Sequence, residues 1–481
     1  MKIPRIQFIL IAVTALLGAC AVGPDYKRPA VETPAAYKEN AGWKVAQPSD
    51  AADKGAWWEI YDDPLLDSFQ QQAQQSNQNV RAAEARYRQA LALVSGARAE
   101  LFPTLSASAS QTRSRAAAGR INQSQINTGG GVVTNYNLAL DASWEPDLWG
   151  RVRRNIEANE ASALASAADL SNTRLSLQAQ LAQDYFQLRA LDSQQQLFNE
   201  TVTAYQKALD LTNNRYASGV AARSDVLQAE TQLKSAQSQA VAVGVQRAQI
   251  EHAIAVLLGK PASEFSIAAA PLKLDTLPPV VPAGVPSELL ERRPDVATAE
   301  RDVAAANAQI GVAKSAFFPA LTLSGSTGYQ SSSFAGWLDA PNRFWSLGPA
   351  LALTVLDFGA RRAQVAQAEA VYDENVANYR QTVLTAFQEV EDNLSALRIL
   401  EQQAQVQDEA VKAARQALDI VTNQYKAGTV SYSDVITAQT ALFSNQNTAV
   451  SILNSRMAAS VLLVKALGGG WGVGSVDPQA Q

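Results

Sequence analysis

Two long tracts without proline constrain the fold of this chain more than any other feature. They are bounded by Pro146 and Pro261 and by Pro349 and Pro478, and both are rich in Ala, Gln, Leu and Glu. These residues favour helices, whereas a proline inside a helix removes a hydrogen bond and breaks it. The tracts therefore predict very long helices, and residues 151–217 alone would rise about 100 Å as one helix.

Each tract has a glycine near its centre, where a chain that reverses direction needs a left-handed residue. These glycines are Gly219 and Gly428. We therefore predict two hairpins of long helices, over 150–258 and 359–467. Helices of such length must pack against neighbours along their whole extent, as in a coiled coil.

The sequence also repeats itself. Residues 215–227 recur as 424–436, an offset of 209, with Tyr-x-x-Gly and Ser-Asp motifs at matching places. Nearer the start of each copy the offset is 216, which carries Phe102 and Pro103 onto Phe318 and Pro319. Repeats of this size indicate a duplication rather than a short-period solenoid.

The repeats give a domain plan. We predict a first repeat over 61–260 and a second over 287–470, each with a helix, a β-hairpin and a long helical hairpin. The remaining segments are a signal peptide (1–19), a tether with an equatorial segment (20–60), a Pro-rich equatorial linker (261–286) and a tail (471–481).

The predicted β-hairpins lie at 104–145 and 320–356. Their residues alternate between an apolar and a polar set over about ten positions, which is the length of a tilted transmembrane strand. Trp144, Tyr329 and Trp345 could form aromatic girdles at the membrane interfaces. The edge of a soluble sandwich is the alternative interpretation.

Four strands cannot close a membrane barrel, since the smallest have eight. Open edges are not viable in lipid, so the chain must associate with further copies. Three copies would give 12 strands and two copies would give eight, and both would close. The predicted fold class is thus an α+β membrane protein, with long helical hairpins and four strands per protomer.

The only cysteine of the chain, Cys20, follows a short basic and apolar segment. Lys2 and Arg5 precede an apolar run to Leu17, which is too short to span a bilayer but suits a signal peptide. The sequence 17–20, Leu-Gly-Ala-Cys, resembles a bacterial lipobox, which predicts a diacylglycerol on the Cys20 thiol. An ordinary signal peptide is the alternative. Ala21 after the cysteine favours transfer to the outer membrane over retention at the inner one.

The composition of the chain argues against several classes of function. Loss of residues 1–19 changes the formal net charge from −5 to −7, and no basic stripe suggests nucleic acid binding. His252 is the only histidine and Cys20 the only cysteine, so the chain has too few of these residues for a nucleophile–base pair or a zinc site. We therefore expect no enzyme activity, no metal and no cofactor beyond the lipid.

Several motifs resemble one known family. The segment 289–328, LLERRPDVATAERDVAAANAQIGVAKSAFFPALTLSGSTG, is similar to the signature of TolC-type outer membrane efflux factors, in particular their OprM/NodT-like lipoprotein branch. CAVGPDYKRP, WWEIYDDPLL and the two Tyr-x-x-Gly tips agree. The resemblance implies a homotrimer with a 12-stranded barrel in the outer membrane and a long periplasmic α-barrel. Its partners would be a periplasmic adaptor and an inner-membrane transporter, and it would passively conduct small molecules outward.

The resemblance also assigns roles to residues at the hairpin tips. An adaptor would dock on the tips, which are Ser218, Gly219, Val220, Ala427, Gly428 and Thr429. A gate would involve Asp434, Thr437, Tyr425 and Asp225, with a hydrogen bond between Tyr425 and Asp225. Thr437 replaces a second acidic residue of the family pattern, and Val430 replaces a basic one. First-turn acids favoured by the helix dipole are the alternative interpretation of Asp225 and Asp434.

Other classes of protein share part of this pattern. A helical fibre or adhesin would use long Ala-rich helices, but it would need neither four amphipathic strands nor a lipobox. An exit duct for protein secretion of the type I kind is the closest alternative. The sequence does not identify the substrates or the particular pump.

Overall fold

The computed structural model describes residues 21–31, 38, 56–115, 132–272, 277–279 and 293–469. The predicted signal peptide, Cys20 and the tail 471–481 lie outside these residues, as do most of the tether and much of the linker 261–286. The acylation of Cys20 therefore stays a prediction.

Helices dominate the described chain, and two of them are very long. After a short 3-10 turn at Trp57–Tyr61, the helices are α1 (Pro64–Ser76), α2 (Gln78–Ala99), α3 (Arg151–Ala217), α4 (Arg223–Leu257), α5 (Pro294–Ser315), α6 (Ala360–Ala427) and α7 (Tyr432–Ala466). The bounds of α3 and α6 follow the proline-free tracts. Both end at the central glycines, and each is followed at once by a shorter antiparallel helix of its hairpin.

Four strands form one antiparallel sheet in the order β1-β2-β3-β4. They are β1 (Thr104–Arg115), β2 (Val132–Trp144), β3 (Ala320–Ser331) and β4 (Arg343–Ala352). Each repeat contributes one hairpin, and β2 and β3 join the two repeats in the middle of the sheet. In the single chain, β1 and β4 are therefore the edges.

The strand register matches the duplication seen in the sequence. In the first hairpin Thr104 lies opposite Ser143. In the second, Ala320 lies opposite Ala352. These pairs are related by the offset of 216 for the first strand and 209 for the second. The two hairpins are thus equivalent residue by residue.

The flanking helices repeat in the same way. Arg98 forms an ion pair with Glu160 at 2.6 Å. The equivalent Lys314 forms an ion pair with Glu369 at 3.1 Å. The same two offsets relate these residues, so the equivalence extends from the strands into the adjoining helices.

One predicted boundary is wrong. The second β-hairpin was expected to extend to residue 356, but β4 ends at Ala352. Ala352 lies opposite Ala320, the first residue of β3, so the ladder has no further partner on that side. The alternating pattern of Leu353 and Val355 continues beyond the strand.

Packing divides the chain into two compact units that do not coincide with the two repeats. One unit comprises the described residues of 1–29, 87–165 and 299–378, and the other comprises those of 30–86, 166–298 and 379–481. Each unit therefore combines equivalent parts of both repeats. The first contains the whole sheet, and the second contains both hairpin tips.

An ion pair between Arg247 and Asp192 also holds the backbone of the linker 261–286, within the second unit. The buried carboxylate of Asp192 accepts from Arg247 at 2.7 Å and from the amide of Ala270 at 2.9 Å. Arg247 also donates to the carbonyl of Ile267 at 2.7 Å. The linker therefore contacts α3 and α4 at Ile267 and Ala270.

One described helix, α7, is long and apolar enough to cross a membrane. Just over half (56%) of its most apolar stretch is buried inside the structure. The buried residues include Leu453, Val461 and Leu463. Packing within the protein accounts for its composition.

Candidate functional site: hairpin tips and sheet

The first hairpin tip is a tight glycine turn. The amide of Val220 donates to the carbonyl of Arg215 at 2.8 Å, and the amide of Gly219 donates to that of Tyr216 at 2.9 Å. This is a Schellman motif, which satisfies carbonyl groups left free at a helix C-terminus.

The second tip repeats that turn. Thr429 donates to Gln424 and Gly428 donates to Tyr425, both at 3.0 Å between backbone atoms. The φ angles of Gly219 and Gly428 are +73° and +79°, so the predicted left-handed conformation of both is confirmed. Any side chain at these positions would strain the backbone.

The six residues predicted to dock an adaptor are all exposed: Ser218, Gly219, Val220, Ala427, Gly428 and Thr429. A Cβ built on Gly219 would meet no heavy atom within 4 Å. At Gly428 it would meet only the side chain of Arg215, at 3.8 Å. Both turns thus leave open space, and docking there stays a prediction.

The two predicted gate acids lie in the first turns of the returning helices. Asp434 accepts from the amide and the hydroxyl of Ser431, at 2.9 and 2.7 Å. Asp225 accepts from the amide of Ala222 at 3.4 Å. The two bonds from backbone amides satisfy donors left free at a helix start. The gate role and the helix-dipole alternative both stay predictions. Thr437, also exposed, donates to the carbonyl of Ser433 at 3.0 Å.

The predicted hydrogen bond between Tyr425 and Asp225 is not formed within the chain. Tyr425 is buried, and its hydroxyl lies 3.5 Å from the hydroxyl of Thr212 instead. That distance makes the bond weak. Tyr425 instead belongs to a buried cluster with Ala229 of α4 and with Tyr432 and Val435 of α7.

Arg215 links the two tips and was not among the predicted residues. Its guanidinium donates to the carbonyl of Lys426 at 3.0 Å and lies 4.7 Å above the ring of Tyr425. A cation at a helix C-terminus is favoured by the dipole, and a guanidinium over a ring adds a cation–π contact. A basic residue in the last turn of α3 was the available signal.

Tyr432, which begins α7, was also missed. It is buried against Tyr425, with ring centroids 5.4 Å apart, and both belong to a small core with Ala229 and Val435. Burial raises the pKa of Tyr432 to about 12, and the nearby Tyr425, Tyr205 and Asp225 add to the increase. Its spacing of seven residues from Tyr425, across the turn, gave little indication of the contact.

The sheet has two different faces. One carries apolar and aromatic side chains: Leu105, Ala107, Ala109, Leu138, Leu140, Leu321, Leu323, Trp345, Leu347 and Leu351. The opposite face carries mainly short polar side chains, with Ala139, Gln330 and Phe344 also on it: Ser106, Ser108, Ser110, Asn137, Asp141, Ser324 and Ser326. This alternation suits a wall with lipid on one side and water on the other.

Aromatic contacts join the repeats below the sheet. The indole of Trp149, which follows β2, stacks on Phe318 with ring centroids 4.9 Å apart. Its Nε1 donates to the carbonyl of Pro319 at 2.7 Å.

Within the described ranges, no group of three or more His, Cys, Asp or Glu could hold a metal ion.

The sequence is similar to proteins of known family. The sequence profile of the family described as "Outer membrane efflux protein" matches residues 70–260 and 285–469, which cover both repeats. The toluene efflux pump outer membrane protein TtgC of Pseudomonas putida is 34% identical over 97% of this chain and 96% of its own length. The pyoverdine export outer membrane protein OpmQ of Pseudomonas aeruginosa is 33% identical over 96% of each.

A solved structure agrees in fold. The outer-membrane channel OprN is 30% identical and superposes with a TM-score of 0.87, covering 94% of this chain and 100% of its own. The predicted fold class, long helical hairpins with a few strands, is confirmed. So are the location in the outer membrane and the function as an efflux channel, and protein secretion is not favoured. These relatives are channels and efflux proteins rather than enzymes, and the chain belongs to the outer membrane efflux protein family.

Proposed function

We propose that three copies of the chain close their sheets into a 12-stranded barrel and form the passive exit duct of a tripartite efflux pump. The observation that carries this proposal is the four-stranded sheet, which has one apolar face and two edges, β1 and β4. A sheet of this kind is stable in lipid only when its edges are paired.

The long helices would form the periplasmic part of the same duct. Helices α3 and α6 span 67 and 68 residues, so each rises about 100 Å. Their exposed tips would be the end that meets a periplasmic adaptor, which in turn connects to an inner-membrane transporter. That transporter would supply the energy, and the duct itself would have no enzyme activity and no cofactor.

A lipid on Cys20 would anchor the mature chain beside the barrel. The support is the lipobox-like sequence before Cys20, and mass spectrometry of the mature N-terminus would test it. We expect a diacylglycerol-modified Cys20 at the first position. An unmodified N-terminus at another residue would contradict this, whereas Cys20→Ser should still allow assembly.

The substrates would be small molecules of varied chemistry. One relative is named for toluene, an apolar hydrocarbon, and another for pyoverdine. Such different cargoes on one architecture suit a duct whose pump, rather than its wall, selects the substrate. Efflux assays with a matched pump and adaptor would show whether exchange of the pump alone changes the exported compounds.

The central experiment combines assembly with conductance. The purified full chain in detergent should have a native mass of three protomers, and a mass of two would favour the eight-stranded alternative. In planar lipid bilayers the same preparation should give discrete conductance steps. A stable trimer that never conducts would favour a fibre instead.

A further inference from the structure

The junction between the two repeats provides a template for a junction between copies. At this internal junction β2 pairs with β3, and Trp144 lies opposite Leu323 at its end. Beyond it Trp149 stacks on Phe318 and donates to Pro319. A strand ladder and an aromatic contact therefore close the same boundary together.

The equivalent residues at the outer edges of the sheet are exposed. The offset of 209 carries Trp149 onto Phe358, and the offset of 216 carries Phe102 onto Phe318. The side chain of Phe358 is 92% exposed and that of Phe102 is 67% exposed, whereas Trp149 is half-buried. Phe358 and Phe102 therefore lie exposed near opposite edges of the sheet, whereas the equivalent Trp149 and Phe318 contact each other inside the chain.

The loop before α6 holds Phe358 outward. Asp357 accepts from the amides of Gly359 at 3.0 Å and Arg361 at 3.2 Å, and also from the Arg361 guanidinium. Arg361 and the Gly359 amide lower the pKa of Asp357 to about 2, so these bonds persist at neutral pH. Phe358 itself has φ +51°, an unfavourable conformation for a bulky side chain.

We propose that each junction between copies reproduces the internal one. Phe358 of one copy packs on Phe102 and Pro103 of the next, while β4 pairs with β1 of that copy in a fixed register. The repeat offsets make β4 equivalent to β2 and β1 equivalent to β3. If β4 pairs with β1 of the next copy as β2 pairs with β3, Leu351 lies opposite Ala109 and Leu353 lies opposite Ala107. This inference rests on the proposed assembly, although the register itself does not depend on the number of copies.

The faces of the sheet agree with the transferred register. Leu351 and Ala109 both lie on the apolar face, so the ladder would continue that face from one copy to the next. A slip by one residue would set apolar side chains of β4 beside polar ones of β1 at each junction between copies. The register also gives Leu353 a strand partner, as the equivalent Trp144 has in β3.

Disulfide cross-linking in the outer membrane tests the register. Leu351→Cys combined with Ala109→Cys should give covalent multimers on non-reducing gels, because paired strands bring Cα atoms within disulfide range. Ala142→Cys with Gly325→Cys is the matched control, since it is the equivalent pair inside the chain and should form an intrachain bond.

Leu351→Cys with Arg113→Cys should not cross-link, because it is displaced by four residues along the strand, or about 14 Å. Each single-cysteine variant controls for Cys20. Cross-links in this displaced pair, or none in the proposed pair when the internal control forms, would overturn the register. A native mass other than three protomers would instead contradict the trimer, so the two failures are distinguishable.

A double-mutant cycle tests the aromatic contact. Phe358→Ala and Phe102→Ala should each lower the temperature at which the multimer dissociates, and the double variant should lose less than the two effects combined. Val355→Ala, also in an exposed position of the loop, should be additive with Phe102→Ala. Strict additivity for Phe358 and Phe102 would show that Phe358 contacts lipid rather than the next copy. The cysteine pairs keep the proposal testable if a phenylalanine variant fails to fold.

Discussion

The two hairpin tips have the same backbone conformation but different side chains. Both turn through a left-handed glycine with the same pair of hydrogen bonds. The first tip supplies the cation Arg215, whose equivalent in the second tip is the neutral Gln424. The second supplies the rings of Tyr425 and Tyr432. Duplication therefore kept the turn, which only a few backbone geometries allow, and left the side chains free to become complementary.

The helix starts after the turns differ too. Ser431 holds Asp434 through both its amide and its hydroxyl, at 2.9 and 2.7 Å. Ala222 offers Asp225 only an amide, at 3.4 Å. The second helix start is therefore the better capped one.

We expect the largest effect from leucine at the tip glycines. Gly219→Leu and Gly428→Leu should each abolish efflux while the amount of protein in the outer membrane stays normal, because a side chain would fill the open turn. The left-handed backbone would add about 1 kcal/mol of strain. Drug susceptibility of cells and immunoblots of outer membranes measure the two quantities.

Gly244→Leu is the matched control for these variants. Gly244 lies inside α4, and a Cβ there would also meet nothing within 4 Å, but its φ is not positive. It should leave efflux unchanged. Normal efflux with leucine at both tips would refute the docking role.

The next largest effect should come from the cation between the tips. Arg215→Met removes a bond to the Lys426 carbonyl and a contact with Tyr425, together about 2 kcal/mol. The open probability of single channels should rise at least tenfold. Gln424→Met, at the equivalent place in the second tip, should change it little, and so should Tyr425→Phe, whose lost bond is weak. An unchanged open probability in Arg215→Met would exclude the link as a closing element.

A smaller effect should distinguish the two acids. Asp434→Asn should weaken the first turn of α7 by about 0.5–1 kcal/mol, seen as faster hydrogen exchange of its amides. Asp225→Asn should have less effect on α4. The ratio of cation to anion permeability tests the gate role separately. If Asp434→Asn leaves that ratio unchanged, Asp434 acts as a cap and does not face the pore.

The last prediction concerns stability at alkaline pH, and no effect on efflux at neutral pH is expected. The pKa of Tyr432 is raised to about 12, above the ordinary value of 10.0, so the folded state holds this proton more tightly than the unfolded state. Its contribution is complete below pH 10 and is lost as the pH rises towards 12. Tyr432→Phe should therefore show a smaller fall in melting temperature over that range. An identical fall would mean that Tyr432 is not buried.

The sequence predicted the long elements because their signals are local. The absence of proline determines where α3 and α6 can run, and a glycine marks each reversal. The repeat offsets predict that the two β-hairpins are equivalent, and the period-2 pattern predicts their two faces, but the pairing register itself is seen only in the structure. The end of β4 was missed because it depends on the length of the neighbouring strand, which no pattern within β4 records.

The side-chain contacts at the tips could not be predicted in the same way. Arg215 and Lys426 are 211 residues apart, and their meeting depends on how two hairpins pack face to face. A change of one residue in helical phase moves a side chain by about 100° around the axis. The resemblance to efflux factors suggested Tyr425 and Asp225, but their partners follow from this packing.

The polar face of the sheet has a consequence for flow. Ser106, Ser108, Ser110, Ser324 and Ser326 are short, so in the proposed barrel they would narrow the bore little at their positions. Hydroxyl groups stay hydrated, and a hydrated wall does not block passage by drying out, as an apolar constriction can. Solutes of unlike chemistry would thus meet a hydrated wall rather than an apolar constriction in this part of the bore.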